Sequence, residues 1–226
     1  MRNTVQKLIA LLLVAVFTLS ITGCAPKFDA SAYMQAEMDL LTRHDIEQYM
    51  NVMDVSEQEA MTLYEEALQN ITVVLDDLKV QGLPDDLVSE YEIWMIDILN
   101  KTKYTVLEAK EVGEGFLVPI EIEPIRAFAN VSERLNDEVT YYMDDLLVSI
   151  MNGGTEPTEE EINRWVYTKL LEIVNDNLEN PIYREKQTFE IAIEKNADGL
   201  YEPNAVQATE LGQGLIDLSD INDVVS

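Results

Sequence analysis

The stretch Tyr104 to Glu123, YTVLEAKEVGEGFLVPIEIE, holds the change of period on which the fold turns. Phe116, Val118, Ile120 and Ile122 alternate with Leu117, Glu121 and Glu123, the spacing of a strand with one buried face. Tyr104 to Val112 reads as its partner strand, joined through Val112-Gly113-Glu114-Gly115. Pro119 has no amide hydrogen, so the second strand is expected to keep one edge unpaired there.

Upstream, the apolar residues recur every three or four positions, which is the helical period. Asp29 is a fitting N-cap for a helix carrying Tyr33, Ala36, Met38, Leu40 and Leu41. A break at Thr42-Arg43-His44-Asp45 leads to a short helix around Tyr49, Met50 and Met53. Ser56 and Glu59 form a capping box for a long helix through Tyr64, Leu75 and Leu78, which Gly82 and Pro84 end. A third helix carries Leu87, Tyr91, Trp94, Met95 and Ile98.

Downstream, a helix with Phe128, Leu135, Val139 and Tyr142 is followed by one capped by Thr158 and Glu161 and carrying Trp165 and Val174. They form a helical pair inserted between Arg126 and Glu179. Trp94 and Trp165 each fall in an apolar stripe and are expected to be buried. Gln187 to Glu194 alternates again, and Asn196-Ala197-Asp198-Gly199 turns it into a return strand at Leu200 to Glu202. A weak helix around Val206, Leu211 and Leu215 closes the series.

This order predicts an α+β fold, with helices packed on one face of a four-stranded antiparallel sheet made of two hairpins, plus the helical-pair insertion. Residues 30–218 read as one domain rather than two split near Pro124, because an isolated hairpin is marginal in water. Residues 219–226 read as a flexible tail.

The first 23 residues read as an export signal. Arg2 and Lys7 precede Leu8 to Leu19, an apolar run of 12 residues. That run is too short to cross a hydrocarbon layer, which needs about 20 residues. It ends at Ile21-Thr22-Gly23-Cys24, which resembles the lipobox of bacterial lipoproteins. The resemblance implies cleavage before Cys24, lipid on its thiol and an acylated amino terminus. Residues 24–29 would be the lipidated tether. Each buried methylene contributes roughly 0.8 kcal/mol, so two chains hold where one binds only marginally. Cys24 is the only cysteine, so no disulfide is expected. The expected location is the extracytoplasmic face of a cell membrane.

The chain has 43 acids against 15 Lys and Arg, a formal charge of −28. This balance argues against nucleic acid as a partner, and against electrostatic binding to anionic headgroups.

Phe28-Asp29-Ala30-Ser31-Ala32-Tyr33, Ser56 to Asn70, Ile122-Glu123-Pro124, Asn180-Pro181-Ile182-Tyr183 and Gln187 to Glu194 together carry a further resemblance. They are similar to a family of uncharacterised Gram-positive lipoproteins whose folded part is a domain of unknown function. The resemblance implies a cone-shaped fold similar to nuclear-transport-factor-2-like or cystatin-like domains, and it supplies no catalytic residues.

His44 is the only histidine, so Ser-His-Asp, Cys-His and two-histidine zinc chemistry have no partners to work with. No phosphate loop or dinucleotide turn is present, and no cofactor or metal is expected. Acid pairs such as Asp76-Asp77, Asp85-Asp86 and Asp144-Asp145 read as solvated faces. The first two helices gather Met34, Met38, Met50, Met53 and Met61. Tyr33, Met38, Tyr49, Met53 and Tyr64 are the candidate lining of a pliable apolar site for a peptide, a small apolar ligand or an envelope protein. The competing reading of the same residues is core. The expected function is a membrane-anchored, non-catalytic binding or interaction module. The alternatives are a carboxylate-dependent cell-wall glycan hydrolase and a structural subunit of an envelope complex.

Overall fold

A computed structural model describes residues 28–197 and 199–221, without the side chains of 70–74, 77 and 221. The export signal, Cys24 and most of the tether lie outside the described residues, as do Asp198 of the turn and residues 222–226 of the tail.

Helix α1 spans Ala30–Arg43, and the Asp29 carboxylate caps it by accepting the Ala32 amide at 3.0 Å. It stops at His44, whose φ of 55° is left-handed. Asp45 then caps α2, Ile46–Met53. The Ser56–Glu59 box opens α3, Glu57–Val80, and Gly82 (φ 98°) turns the chain away from it. Helix α4 spans Val88–Asn100. Arg43 ties α1 to the end of α4 by donating to the carbonyls of Asn100 (3.0 Å) and Thr102 (2.6 Å). Cationic donors at a helix C-terminus satisfy orphan carbonyls and oppose the dipole.

The sheet contains β1 (Lys103–Val106), β2 (Lys110–Val112), β3 (Gly115–Glu123), β4 (Gln187–Lys195) and β5 (Tyr201–Pro203). All pairings are antiparallel, in the order β1-β3-β4-β5, with β2 also on β3. The sheet curls as a half-barrel with helices on one side, so the α+β reading and its two hairpins hold. Gly115 is required where β3 meets β4, because a Cβ there would lie 2.3 Å from the Ile193 carbonyl oxygen.

One expected strand is broken. Val106 faces Ile120, but Lys110 faces Leu117, so the partner of β3 carries one extra residue between them. Leu107 still donates to the Pro119 carbonyl at 2.9 Å, and Pro119 has no hydrogen to return. The chain bulges there. Ser31 of α1 takes the freed groups, donating to the Leu107 carbonyl and accepting the Ala109 amide. The proline therefore does not mark an edge: β3 is central, and the accommodation lies in its neighbour.

Val118, Ile120 and Ile122 of β3 and Ile191 and Ile193 of β4 are buried against Tyr33, Met34, Ala36, Met38 and Leu40 of α1 in one apolar cluster. Helices α5 (Val131–Met151) and α6 (Glu159–Glu179) form the inserted pair, α6 opening with the Thr158–Glu161 capping box. Phe128 precedes α5 and meets Trp94 edge-on at 5.5 Å. Helix α6 joins the body through a two-pronged contact of Arg164 with Asp86 and through its Tyr167 carbonyl, which accepts the Tyr91 hydroxyl at 2.8 Å. Trp94 is buried as expected, but Trp165 is only half-buried. Trp165 stacks on Tyr142 at 4.5 Å between the two helices of the pair, where solvent reaches both. Helix α7 (Ala205–Gly214) follows β5, and a short 3-10 turn at Ser219–Ile221 comes after it.

Candidate functional site

The five residues expected to line a ligand site all sit in the interior. Tyr33, Met38 and Tyr49 have no exposed surface, Met53 has 3% and Tyr64 has 8%. Helices α1, α2 and α3 close over them, so the open apolar groove expected here is replaced by packed core. The physical reason is the pliability that suggested a groove: methionine fills irregular gaps between helices as readily as it adapts to a ligand. Tyr64 carries a further contact, stacking on the His44 ring at 4.1 Å. His44 is thus held at a helix end by an aromatic face.

Packing brings Tyr33 and Tyr49 around a residue that the reading missed. Glu37 is fully buried, and its Oε1 accepts the Tyr49 hydroxyl at 3.3 Å. Its Oε2 and the Tyr33 hydroxyl have no hydrogen-bond partner among the described residues. Burial raises the Glu37 carboxyl well above its ordinary range, and the hydrogen bond from Tyr49 opposes this only in part. Burial likewise raises Tyr33 and Tyr49, and the Glu37 charge pushes both further. The group is a buried carboxyl between two phenols, and burial favours the protonated form of each. It is sealed from solvent and cannot meet a substrate in this conformation. Its signal in the sequence is spacing: Tyr33, Glu37 and Leu41 are four residues apart on one helix, so Glu37 shares the apolar stripe.

The described surface also holds a cleft of about 940 Å³ between the start of β4 and the chain after α7, lined in part by Pro124, Arg184, Lys186, Gln187, Ile216 and Asp217. Its cations are committed. Arg184 donates to Asp217 at 2.5 Å and to Ser219 at 2.9 Å, and Lys186 donates to Glu121 at 2.7 Å. Arg126 lies behind, donating to Asp220 at 2.7 Å. Burial pushes Asp217 up, but the Ser219 amide and the Arg184 guanidinium outweigh it and hold this carboxyl below its ordinary range. Paired in this way, Arg184 fastens the C-terminal segment to the residues before β4, and the cleft presents no unpaired cation among the described residues.

At the other end of α1, Phe28 stacks on Tyr201 at 4.3 Å and packs against Phe116 and Tyr33 at 5.5 and 5.4 Å. The first described residue is thus locked to β3 and β5.

No family model and no curated protein matches the chain. Among solved structures it is similar to a candidate lipoprotein, ycdA, of Bacillus subtilis strain 168, with a TM-score of 0.50 at 16% identity. The likeness covers 84% of this chain and 57% of that one, so this chain spans little more than half of that protein. At this identity the likeness concerns the fold alone.

Proposed function

We propose that the chain is a lipoprotein held on the extracytoplasmic face of a cell membrane by lipid on Cys24, and that its folded part is a non-catalytic binding module. The observation that carries this reading is Ile21-Thr22-Gly23-Cys24 at the end of a 12-residue apolar run. The solved chain of similar fold is itself described as a candidate lipoprotein. No helix among the described residues is long and apolar enough to cross a membrane.

The position of Phe28 supports an anchor close to the domain. Four residue steps separate Cys24 from Phe28, a reach of under about 15 Å. With Phe28 fixed in its aromatic cluster, residues 30–218 are held against the lipid surface. The charge of −28 opposes anionic headgroups, so lipid rather than electrostatics supplies the attachment.

The non-catalytic part of this reading is supported by what the side chains are used for. His44 is stacked on Tyr64, Glu37 is sealed from solvent, and Asp86 and Asp217 are bound to arginines. A carboxylate hydrolase needs two acids facing across an open cleft.

Cys24→Ala is the direct test. The wild-type chain is expected to partition into the detergent phase, and the variant to appear in the aqueous phase or to keep its uncut mass of 25.7 kDa. A variant that stays in detergent at the mature wild-type size contradicts the anchor.

A further inference from the structure

The outer half of α5 displays an apolar stripe that nothing in the described structure covers. Met143, Leu147 and Met151 recur every four residues on one flank and are 48%, 56% and 86% exposed. Tyr141 and Val148, seven residues apart, are exposed on an adjoining face. Of the eleven large hydrophobic residues that are exposed among the described residues, six fall between 141 and 162. The inner flank of the same helix is occupied, with Tyr142 stacked on Trp165 of α6. The stripe is therefore the outward face of a pair whose other face is already packed. From Met143 to Met151 it runs about 12 Å, a little over two turns.

Charge discriminates between the occupants this stripe could take. From Leu135 to Asn163 the chain has eight acids and neither Lys nor Arg. Asp144 and Asp145 lie within the stripe's own segment, and Glu156, Glu159, Glu160 and Glu161 follow at the tip of the pair. A second copy would bring two such acidic tips together. An anionic lipid surface would be repelled for the same reason. A helix with one apolar face and flanking Lys or Arg satisfies both features: its apolar side chains meet the pliable methionines while its cations meet the acids.

We propose that the outer flank of α5 docks a cationic amphipathic helix presented by another protein. The proposal stands whether or not the chain carries lipid.

The test uses the full chain, in discs of zwitterionic lipid where it carries lipid and in plain buffer where it does not, with empty discs or buffer subtracted. The probe is a fluorescent Leu/Lys peptide of about 18 residues, apolar on one face, followed by anisotropy. Binding is expected below about 10 µM at low salt and should weaken as salt is added. The double variant Leu147→Gln, Met151→Gln keeps the charge and alters only exposed positions. It should bind at least about tenfold more weakly while its urea midpoint is unchanged. A photo-crosslinker on the apolar face of the peptide should mark residues 143–151. The proposal is overturned by absence of binding, by equal binding to the double variant, by equal binding of a Leu/Glu peptide, or by crosslinks elsewhere. It is also overturned if the wild-type chain sediments in detergent as a dimer that the double variant dissolves, which would assign the flank to a second copy.

Discussion

Glu37→Gln is expected to remove a pH-dependent loss of stability that the wild-type chain suffers above the ordinary carboxyl range. In the unfolded chain this carboxyl titrates near its usual 4.5; in the fold, burial holds it well above that value. A group with a raised folded pKa favours the fold fully below the unfolded pKa. That contribution is lost as pH rises toward the folded value, because the unfolded chain releases a proton that the fold retains. The slope for one proton is about 1.4 kcal/mol per pH unit. Glutamine has the shape of the protonated acid, keeps an oxygen to accept the Tyr49 hydroxyl and has no proton to lose. The other carboxylates are common to both proteins, so the difference between them isolates Glu37. Urea midpoints measured from about pH 4 to pH 8 should show wild type falling progressively below the variant. A constant offset over that range would mean that folding leaves the Glu37 carboxyl in its ordinary range.

Trp94→Ala is expected to cost about 3–5 kcal/mol, whereas Trp165→Ala should cost roughly 1–2 kcal/mol. Trp94 is 5% exposed and makes edge contacts with Tyr91 at 5.3 Å and Phe128 at 5.5 Å. Its removal leaves a cavity where α4 meets the turn before α5. Its indole nitrogen has no hydrogen-bond partner among the described residues, so Trp94→Phe should recover a large part of the loss. Trp165 is half-buried in the inserted pair and loses mainly its stack on Tyr142. Equal losses at the two positions, read from denaturant unfolding at unchanged m, would contradict this division.

The features legible in the sequence are those whose physics is local. Asp29, Ser56–Glu59 and Thr158–Glu161 cap their helices as their spacing demands, since a cap concerns residues within one turn. The alternation of β3 and β4 is equally local, and it is enough to place both hairpins in one sheet. What escaped the reading depends on distant partners. The bulge opposite Pro119 is completed by Ser31, 76 residues from Leu107. Trp165 has the helical spacing of a core residue, yet the helix it faces is itself peripheral. Tyr33, Met38, Tyr49, Met53 and Tyr64 form one cluster, as their grouping implied, but spacing within helices does not say whether a neighbouring helix closes over them. Glu37 was hidden among many acids, and only its place four residues from Tyr33 distinguishes it.

The anchor at Cys24 carries the account of function, and the intact mass of the chain extracted from membranes tests it most directly. The expected chain begins at Cys24 and ends at Ser226, heavier than its amino acids by a diacylglyceryl group on the thiol, with or without a further acyl chain on the new amino terminus. A chain that begins elsewhere, or one that begins at Cys24 with a free thiol, would contradict it.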